Sequence, residues 1–228
     1  MAKLNKQVIG QLSGKIGDIV IRKRNGKNFA SSRPASFFPG FDAASVGRRD
    51  RFGIACKFSS KVYALPYLKK IWKSNLPPGS YPYNQITKLN YGYAEPGELS
   101  DKAVIVPESG FNIKAATSAL FPPCMQVVID KIGSNPGIDP LKEPVLKICT
   151  VIYLTNPKDE SSCPFDYISL VSEGEPAVPD SQTAFKLFYT GKDIELFDSY
   201  TDRKAFSALI SLDADDNPVH FSRTFVIQ

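Results

Sequence analysis

The stretch VLKICTVIYL, residues 145–154, is followed one residue later by the turn-forming cluster NPKD, residues 156–159. A short apolar run with β-branched side chains, bounded by Asn, Pro and Asp, is typical of a β-strand that ends in a turn. The same alternation of run and turn recurs through the second part of the chain. Further strands are therefore expected at residues 85–93, 102–106, 125–132, 167–171, 184–189, 205–212 and 219–227.

Seven or eight short strands with turn clusters between them predict a mainly β fold over residues 76–228. We expect an antiparallel sandwich of immunoglobulin-like architecture. Eighteen prolines and fifteen glycines without a period agree with many short elements joined by turns. The cysteines and Trp72 lack the Cys…Trp…Cys arrangement of antibody domains, so the prediction concerns the architecture alone.

Residues 1–41 are predicted to form a basic N-terminal arm that contains a β-hairpin. Within DIVIRKRNGKNFASSR, residues 18–33, the dipeptide Asn25-Gly26 separates two extended runs. Asn-Gly favours a tight hairpin turn because both of its residues tolerate positive φ.

The segment PASFFPGF, residues 34–41, carries three phenylalanines and cannot be helical with two prolines and a glycine. Two interpretations of these rings remain open. They pack on the core of their own chain, or they dock on a neighbouring subunit.

Residues 42–75 are predicted to form one amphipathic basic helix. Its apolar residues recur at three- and four-residue steps, while most of its Lys and Arg side chains lie off that stripe. Pro66 predicts either a kink or two helices that meet near Ala64-Leu65, with Pro66 in the first turn of the second. The following segment LPPGSYP, residues 76–82, is expected to be a linker.

The charge is divided unequally along the chain. Residues 1–74 carry sixteen Lys and Arg and three acidic residues, a net +13, and residues 75–228 carry twelve and twenty, a net −8. The two parts sum to the +5 of the whole chain. Such asymmetry indicates that the basic part meets an acidic partner, either nucleic acid or the acidic part of another copy.

The GQLSGKIG stretch, residues 10–17, superficially resembles a phosphate-binding loop. That motif needs four residues between its glycines and a Ser or Thr after the lysine. Here Gly10 and Gly14 are separated by three residues, and Ile16 follows Lys15. No nucleotide or other cofactor is predicted.

No residue pattern predicts a catalytic or metal site, and we expect a non-enzymatic protein. Cys56, Cys124, Cys149 and Cys163 have no CxxC spacing. A Cys149–Cys163 bridge is disfavoured because no secretory signal is apparent. The only histidine, His220, shares the parity of Ser222 and Thr224 and is expected on a solvent face.

The turn DADDNP, residues 213–218, matches only the first positions of an EF-hand loop, so a solvated turn is expected. No apolar run is long enough to span a membrane. We expect synthesis in the cytoplasm, with a virion or another released assembly as a further location.

The front of the chain resembles a family of short uncharacterised proteins from Bacteroidetes-type bacteria, marked by an SGKxGxxV opening. The residues that carry the resemblance are SGKIGDIV (13–20), the basic hairpin, SRP (32–34) and Arg51-Phe52…Phe58 before a helix that ends near Trp72. The closing runs at residues 184–189 and 221–226 are also similar. The resemblance implies a hairpin arm, a helix and a β-sandwich-like region, and it supplies no catalytic residues. Gln11-Leu12 departs from the family pattern, in which a second glycine and a phenylalanine are common.

Together these features predict a structural protein that assembles into homo- or hetero-oligomers, such as a phage virion-like or filament component. The arm would exchange between subunits and opposite charges would attract. The residues expected in this contact are Ile19, Val20, Ile21, Phe29, Phe37, Phe38 and Phe41.

The alternative function is that of a nucleic-acid-binding accessory protein. The residues expected to contact nucleic acid or an acidic partner are Arg22, Lys23, Arg24, Lys27, Arg48 and Arg49.

Overall fold

The computed structural model describes residues 2–3, 14–24, 26–33, 36, 40–133, 136–159 and 161–227. The chain divides into two compact units, Met1–Val46 and Gly47–Gln228. Strands hold 38% of the described residues and helices 24%, and the sheets are antiparallel. The prediction of a mainly β, antiparallel fold is thereby confirmed.

The first unit contains a four-stranded antiparallel sheet in the order β1-β4-β3-β2. Its strands are β1 (Ala2–Lys3), β2 (Gly14–Ile16), β3 (Ile19–Arg24) and β4 (Lys27–Ser32). The predicted hairpin is β3–β4, in which Arg24 pairs with Lys27 and Gly26 has a φ of 75°. Gly17, with a φ of 55°, lies in the turn between β2 and β3. The hairpin is therefore the centre of a larger sheet, which the sequence did not predict.

Three helices follow in the chain: α1 (Ala43–Ala64), α2 (Pro66–Ser74) and α3 (Pro82–Tyr91). Asp42 caps the first of them, because its Oδ2 accepts a hydrogen bond from the Ser45 amide at 2.9 Å. The break between α1 and α2 falls at Leu65, which is extended, and Pro66 occupies the first turn of α2. Proline is tolerated there because the first amides of a helix have no intrahelical acceptor.

The strand predicted at residues 85–93 is wrong, because α3 occupies most of this range. Pro82 starts the helix, and Ile86 and Asn90 are buried at a four-residue spacing. Ile86 and Thr87 have high β propensity, but burial of this segment against the other helices decides its structure.

The strand predicted at residues 102–106 is also absent from the described structure. Asn90 takes the place of a neighbouring strand, because its side chain accepts from the Val104 amide at 2.8 Å and donates to the Val104 carbonyl at 2.9 Å. The Ile105 carbonyl accepts from Trp72 Nε1 at 2.8 Å. The apolar pattern of this segment thus reflects burial rather than strand pairing.

The second unit is built on two antiparallel sheets. The larger contains β9 (Val145–Pro157), β10 (Phe165–Val171), β11 (Glu175–Pro176), β13 (Tyr200–Leu212), β14 (Pro218–Phe221) and β15 (Phe225–Ile227). The smaller has the order β12-β8-β7, with β7 (Ala115–Ala119), β8 (Cys124–Ile129) and β12 (Thr183–Phe188). A short hairpin, β5 (Ala94–Glu95) and β6 (Glu98–Leu99), follows α3, and α4 (Gly191–Asp198) precedes β13.

Both faces of the larger sheet are covered. Val151 and Tyr153 of β9 belong to an apolar cluster with the helices, whereas Ile152 and Leu154 belong to a second cluster with the smaller sheet and α4. Alternate residues of a strand point to opposite faces, so burial on both sides requires a continuous apolar run. This arrangement explains the VLKICTVIYL stretch.

Candidate interaction surfaces

The N-terminal sheet places isoleucines together on one of its faces. Ile16 of β2 lies opposite Ile19 of β3, and Ile21 follows two residues later on the same face, opposite Ala30. The Ile16 and Ile19 side chains are 58% and 49% exposed, whereas Ile21 is 8% exposed. We call Ile16, Ile19, Ile21 and Ala30 the isoleucine face. Two large, adjacent and half-exposed aliphatic side chains form an apolar patch that water solvates poorly.

The opposite face of the same sheet is basic. Lys15 pairs with Val20, and Arg22 pairs with Phe29. Lys15 and Arg22 are exposed, while Val20 and Phe29 are half-buried. We call these four residues the basic face. It combines cationic side chains with one aromatic ring, and it is separated from the isoleucine face by the thickness of a single sheet.

The structure divides the predicted contact residues between the two faces. Of the predicted arm residues, Ile19 and Ile21 lie on the isoleucine face and Val20 and Phe29 on the basic face. Phe41 is 82% exposed. Phe37 and Phe38 lie outside the described residues, so their expected part in a subunit contact stays a prediction.

The predicted cationic contacts are only partly grouped. Arg22, Lys23 and Lys27 are exposed on the hairpin, and nothing is described of the Arg24 side chain. Arg48 and Arg49 are exposed on α1 in the second unit. Ile16 and Lys15, which the sequence pattern did not indicate as contact residues, share their faces with the predicted residues. Gly17 favours a turn before β3, and this could have indicated a further strand that carries Lys15 and Ile16.

His220 differs from a simple surface histidine. Its Nδ1 lies 2.8 Å from Oε2 of Glu143, a residue only 4% exposed. The same Oε2 accepts a hydrogen bond from the Ser211 hydroxyl, which in turn accepts from the His220 amide at 3.0 Å. The β13–β14 pairing shifts register between Ile210 and Leu212, which leaves the Ser211 hydroxyl to take part in this network. The parity argument missed this contact because Glu143 is distant in sequence.

The acidic turn at residues 213–218 is held by hydrogen bonds between its own residues. The Asp213 carboxylate accepts from the amides of Asp215 and Asn217 at 2.9 and 2.8 Å. Hydrogen bonding, first from Asn217, lowers the pKa of Asp213. Within the described part of the chain, no group of three or more His, Cys, Asp or Glu side chains could hold a metal ion.

The four described cysteines are free of disulfides, and Cys56 and Cys124 are partly exposed residues. Cys149 is buried and Cys163 is exposed. Lys57 Nζ lies 3.3 Å from Cys163 Sγ. Burial raises the pKa of the Cys149 thiol to about 12.

None of the described helices has the length and apolarity that a membrane crossing demands. No protein-family model matches the chain. A search of curated proteins likewise found no match.

Proposed function

We propose that the chain is a non-enzymatic assembly subunit that binds another structural subunit, or a further copy of itself, through the isoleucine face. The observation that carries this proposal is the side-by-side exposure of Ile16 and Ile19 on one face of a small sheet. A partner that covers both side chains removes apolar surface from water, which is worth roughly 25 cal/mol per Å² before the costs of association.

The edge of the same sheet supports this proposal. Among the described strands β2 is the last in the sheet order, and in our proposal its outer edge receives a strand of another chain. An added strand would satisfy backbone groups there and would extend the isoleucine face. Arm exchange of this kind joins unlike surfaces, and repeated contacts of this type close into a ring or continue as a filament.

The charge distribution adds a second contribution. The net +13 of residues 1–74 and the net −8 of residues 75–228 favour head-to-tail contact between copies. Salt would weaken this contact, because the screening length is about 8 Å at physiological ionic strength. The assembly would be a virion-like particle or a filament made in the cytoplasm.

Size-exclusion chromatography with light scattering tests the proposal. We expect the full chain to be oligomeric and a chain without residues 1–41 to be monomeric. The double variant Ile16→Glu/Ile19→Glu should also be monomeric, because charge on the isoleucine face opposes burial. The matched control Lys15→Ala/Arg22→Ala changes the basic face of the same sheet and should remain oligomeric. A monomeric full chain would contradict assembly of copies of this chain through the isoleucine face.

The basic face supports one alternative, binding of a nucleic acid. Arg22 lies beside Phe29 on this face, and single-stranded nucleic acids bind to surfaces that combine cationic and aromatic side chains. A gel-shift assay with mixed DNA and RNA tests this alternative, with the basic-face variant as the test and the isoleucine-face variant as the control. Lys15→Ala/Arg22→Ala would lose binding, and Ile16→Glu/Ile19→Glu would lose less.

We also propose that the second unit is a variant of the immunoglobulin-like sandwich and that the chain is related to the SGKxGxxV family. Two antiparallel sheets that share an apolar cluster support the first proposal, and the chain passes from one sheet to the other three times, after β8, β11 and β12. An experimental structure of a member of that family tests both. A different layer order in that structure would contradict them.

A further inference from the structure

His220 and Glu143 form an oriented pair beside a cavity in the second unit. The cavity has a volume of about 440 Å³ and is lined by residues that include Ser109, Phe111, Asn112, Val219, His220 and Phe221. The His220 side chain is 36% exposed and that of Glu143 only 5%. The imidazole therefore bridges a buried carboxylate and an open cavity.

The hydrogen bonds determine which ring nitrogen carries the proton in the neutral imidazole. Glu143 Oε2 accepts from the Ser211 hydroxyl and faces His220 Nδ1 at 2.8 Å, so Nδ1 is the donor of the pair. Nε2 is then left with its lone pair. No described residue supplies a partner for Nε2.

The remaining lining of the cavity restricts the ligand. His220 is the only ionisable side chain among the described lining residues, so these residues include no Lys, Arg, Asp or Glu to pair with a charged ligand. Ser109 and Asn112 offer a hydroxyl and an amide, and Phe111, Val219 and Phe221 offer apolar surface. Hydrogen-bonding groups and apolar side chains therefore line this cavity together, and a few placed polar groups can orient a small molecule.

We propose that this cavity binds a neutral, hydroxyl-rich ring, a sugar, with one of its hydroxyls donating a hydrogen bond to Nε2 of His220. A sugar ring has polar hydroxyls at its rim and apolar C–H groups on its faces, which matches the mixture of hydrogen-bonding and phenylalanine side chains. Glu143 is a positioning residue, because it holds the ring orientation and the proton on Nδ1 without reaching the cavity itself. The site is independent of the N-terminal sheet.

The single histidine makes a direct test available. Proton and carbon signals of one imidazole ring report on His220 alone in the full-length protein. We expect at least one member of a panel of neutral methyl glycosides, each at about 20 mM to detect millimolar affinity, to shift these signals in a saturable manner. Glycerol at the same concentration provides hydroxyls without a ring and should leave them unchanged. Absence of any saturable shift, or equal shifts with glycerol, would overturn the proposal.

A single substitution distinguishes the contribution of Nε2 to ligand binding from that of Nδ1 to the Glu143 contact. In His220→Asn the side-chain amide can replace Nδ1–H as donor to Glu143, whereas nothing replaces Nε2. We expect this variant to fold and to lose about tenfold or more in glycoside affinity, a difference of about 1.4 kcal/mol, in ligand-observed saturation-transfer NMR. Unchanged affinity in the folded variant would show that Nε2 makes no contact. The wild-type titration stands on its own should the variant fail to fold.

Discussion

At the scale of single residues, Gly110 and Gly53 differ in whether the surrounding structure leaves room for a side chain. A Cβ on Gly110 would lie 2.5 Å from the Ser222 carbonyl carbon and 2.7 Å from the Arg223 amide nitrogen. These are backbone atoms that cannot swing away. A Cβ on Gly53, inside α1, would meet no heavy atom within 4 Å apart from its chain neighbours and the backbone of its own helix.

We therefore expect Gly110→Ala to destabilise the protein by about 1–3 kcal/mol, the usual cost of overpacking. The control Gly53→Ala should stabilise it by about 0.5–1 kcal/mol, because alanine favours the helix interior. Urea unfolding midpoints measure both changes. Equal effects of the two substitutions would contradict the close approach at Gly110.

Cys149 provides a prediction about alkaline pH. Burial raises the pKa of this thiol from its ordinary value of 9.0 to about 12. The unfolded chain therefore loses this proton at lower pH than the folded chain, and the stabilising contribution is complete below about pH 9 and lost towards about pH 12. Burial also raises the pKa of Tyr153 and Tyr189, which acts in the same direction.

The free energy of unfolding should accordingly fall between about pH 8 and about pH 11, and the fall should be smaller in Cys149→Ala. Urea unfolding at both pH values measures this difference. Thiol titration offers a second check, since Cys163 should react in the native protein and Cys149 only after denaturation. Rapid reaction of Cys149 in the native state would contradict its burial.

At the scale of elements, α2 is joined to the turn between β13 and β14 by a group of polar contacts. Tyr67 Oη donates to the Asp216 carboxylate at 2.8 Å and accepts from Lys147 Nζ at 2.7 Å. The hydrogen bond to Tyr67 is the main cause that raises the pKa of Lys147. Lys70 of the same helix donates to the Asp216 carbonyl at 3.1 Å. These contacts link the helical layer to the larger sheet through side chains that lie near the surface.

Removing the hydroxyl at this junction tests its contribution. Tyr67→Phe should cost about 1 kcal/mol, the usual net value of a hydrogen bond. Tyr63→Phe is a matched control, since no hydrogen bond of the Tyr63 hydroxyl is found among the described residues. Thermal and urea unfolding should distinguish the two variants. A Tyr67→Phe variant as stable as the control would mean that water replaces the hydroxyl without loss.

At the scale of the whole molecule, the second unit contains the principal cores of the described structure. Both apolar clusters are formed by buried residues between Ile54 and Ile227. In the first unit, Ile21 is the one apolar side chain described as buried. The described residues of this unit thus bury little apolar surface, and a partner on the isoleucine face, as we propose, would add to it.

A chain that begins at Asp42 should therefore retain the stability of the second unit. We expect its Tm to lie within about 3 °C of the monomeric full chain, which corresponds to about 1 kcal/mol or less for a unit of this size. Differential scanning calorimetry at low protein concentration measures this comparison. A broad or strongly lowered transition would assign residues 1–41 a part in the main core.

Local sequence determined the elements whose signals are complete within a few residues. Asn25-Gly26 predicted the β3–β4 hairpin, Pro66 predicted the break between α1 and α2, and VLKICTVIYL predicted β9. Each depends on backbone geometry or on an uninterrupted apolar run, which neighbouring residues specify by themselves. The basic and apolar residues of the arm were identifiable for the same reason.

Only the tertiary structure decided the local conformation and the side-chain contacts of residues whose interaction partners are distant in the sequence. The segment at 102–106 is not a strand because Asn90 satisfies its backbone, and residues 85–91 are helical because Ile86 is buried among other helices. His220 faces Glu143, 77 residues away, through a bulge at Ser211. The alternation that placed Ile16 beside Ile19 likewise required the strand register. The sequence by itself determined a mainly β chain with a basic hairpin. Only the tertiary structure decided which polar groups are hydrogen-bonded and which surfaces remain exposed. Burial and hydrogen bonding depend on residues that are distant in the sequence, so local sequence does not contain this information.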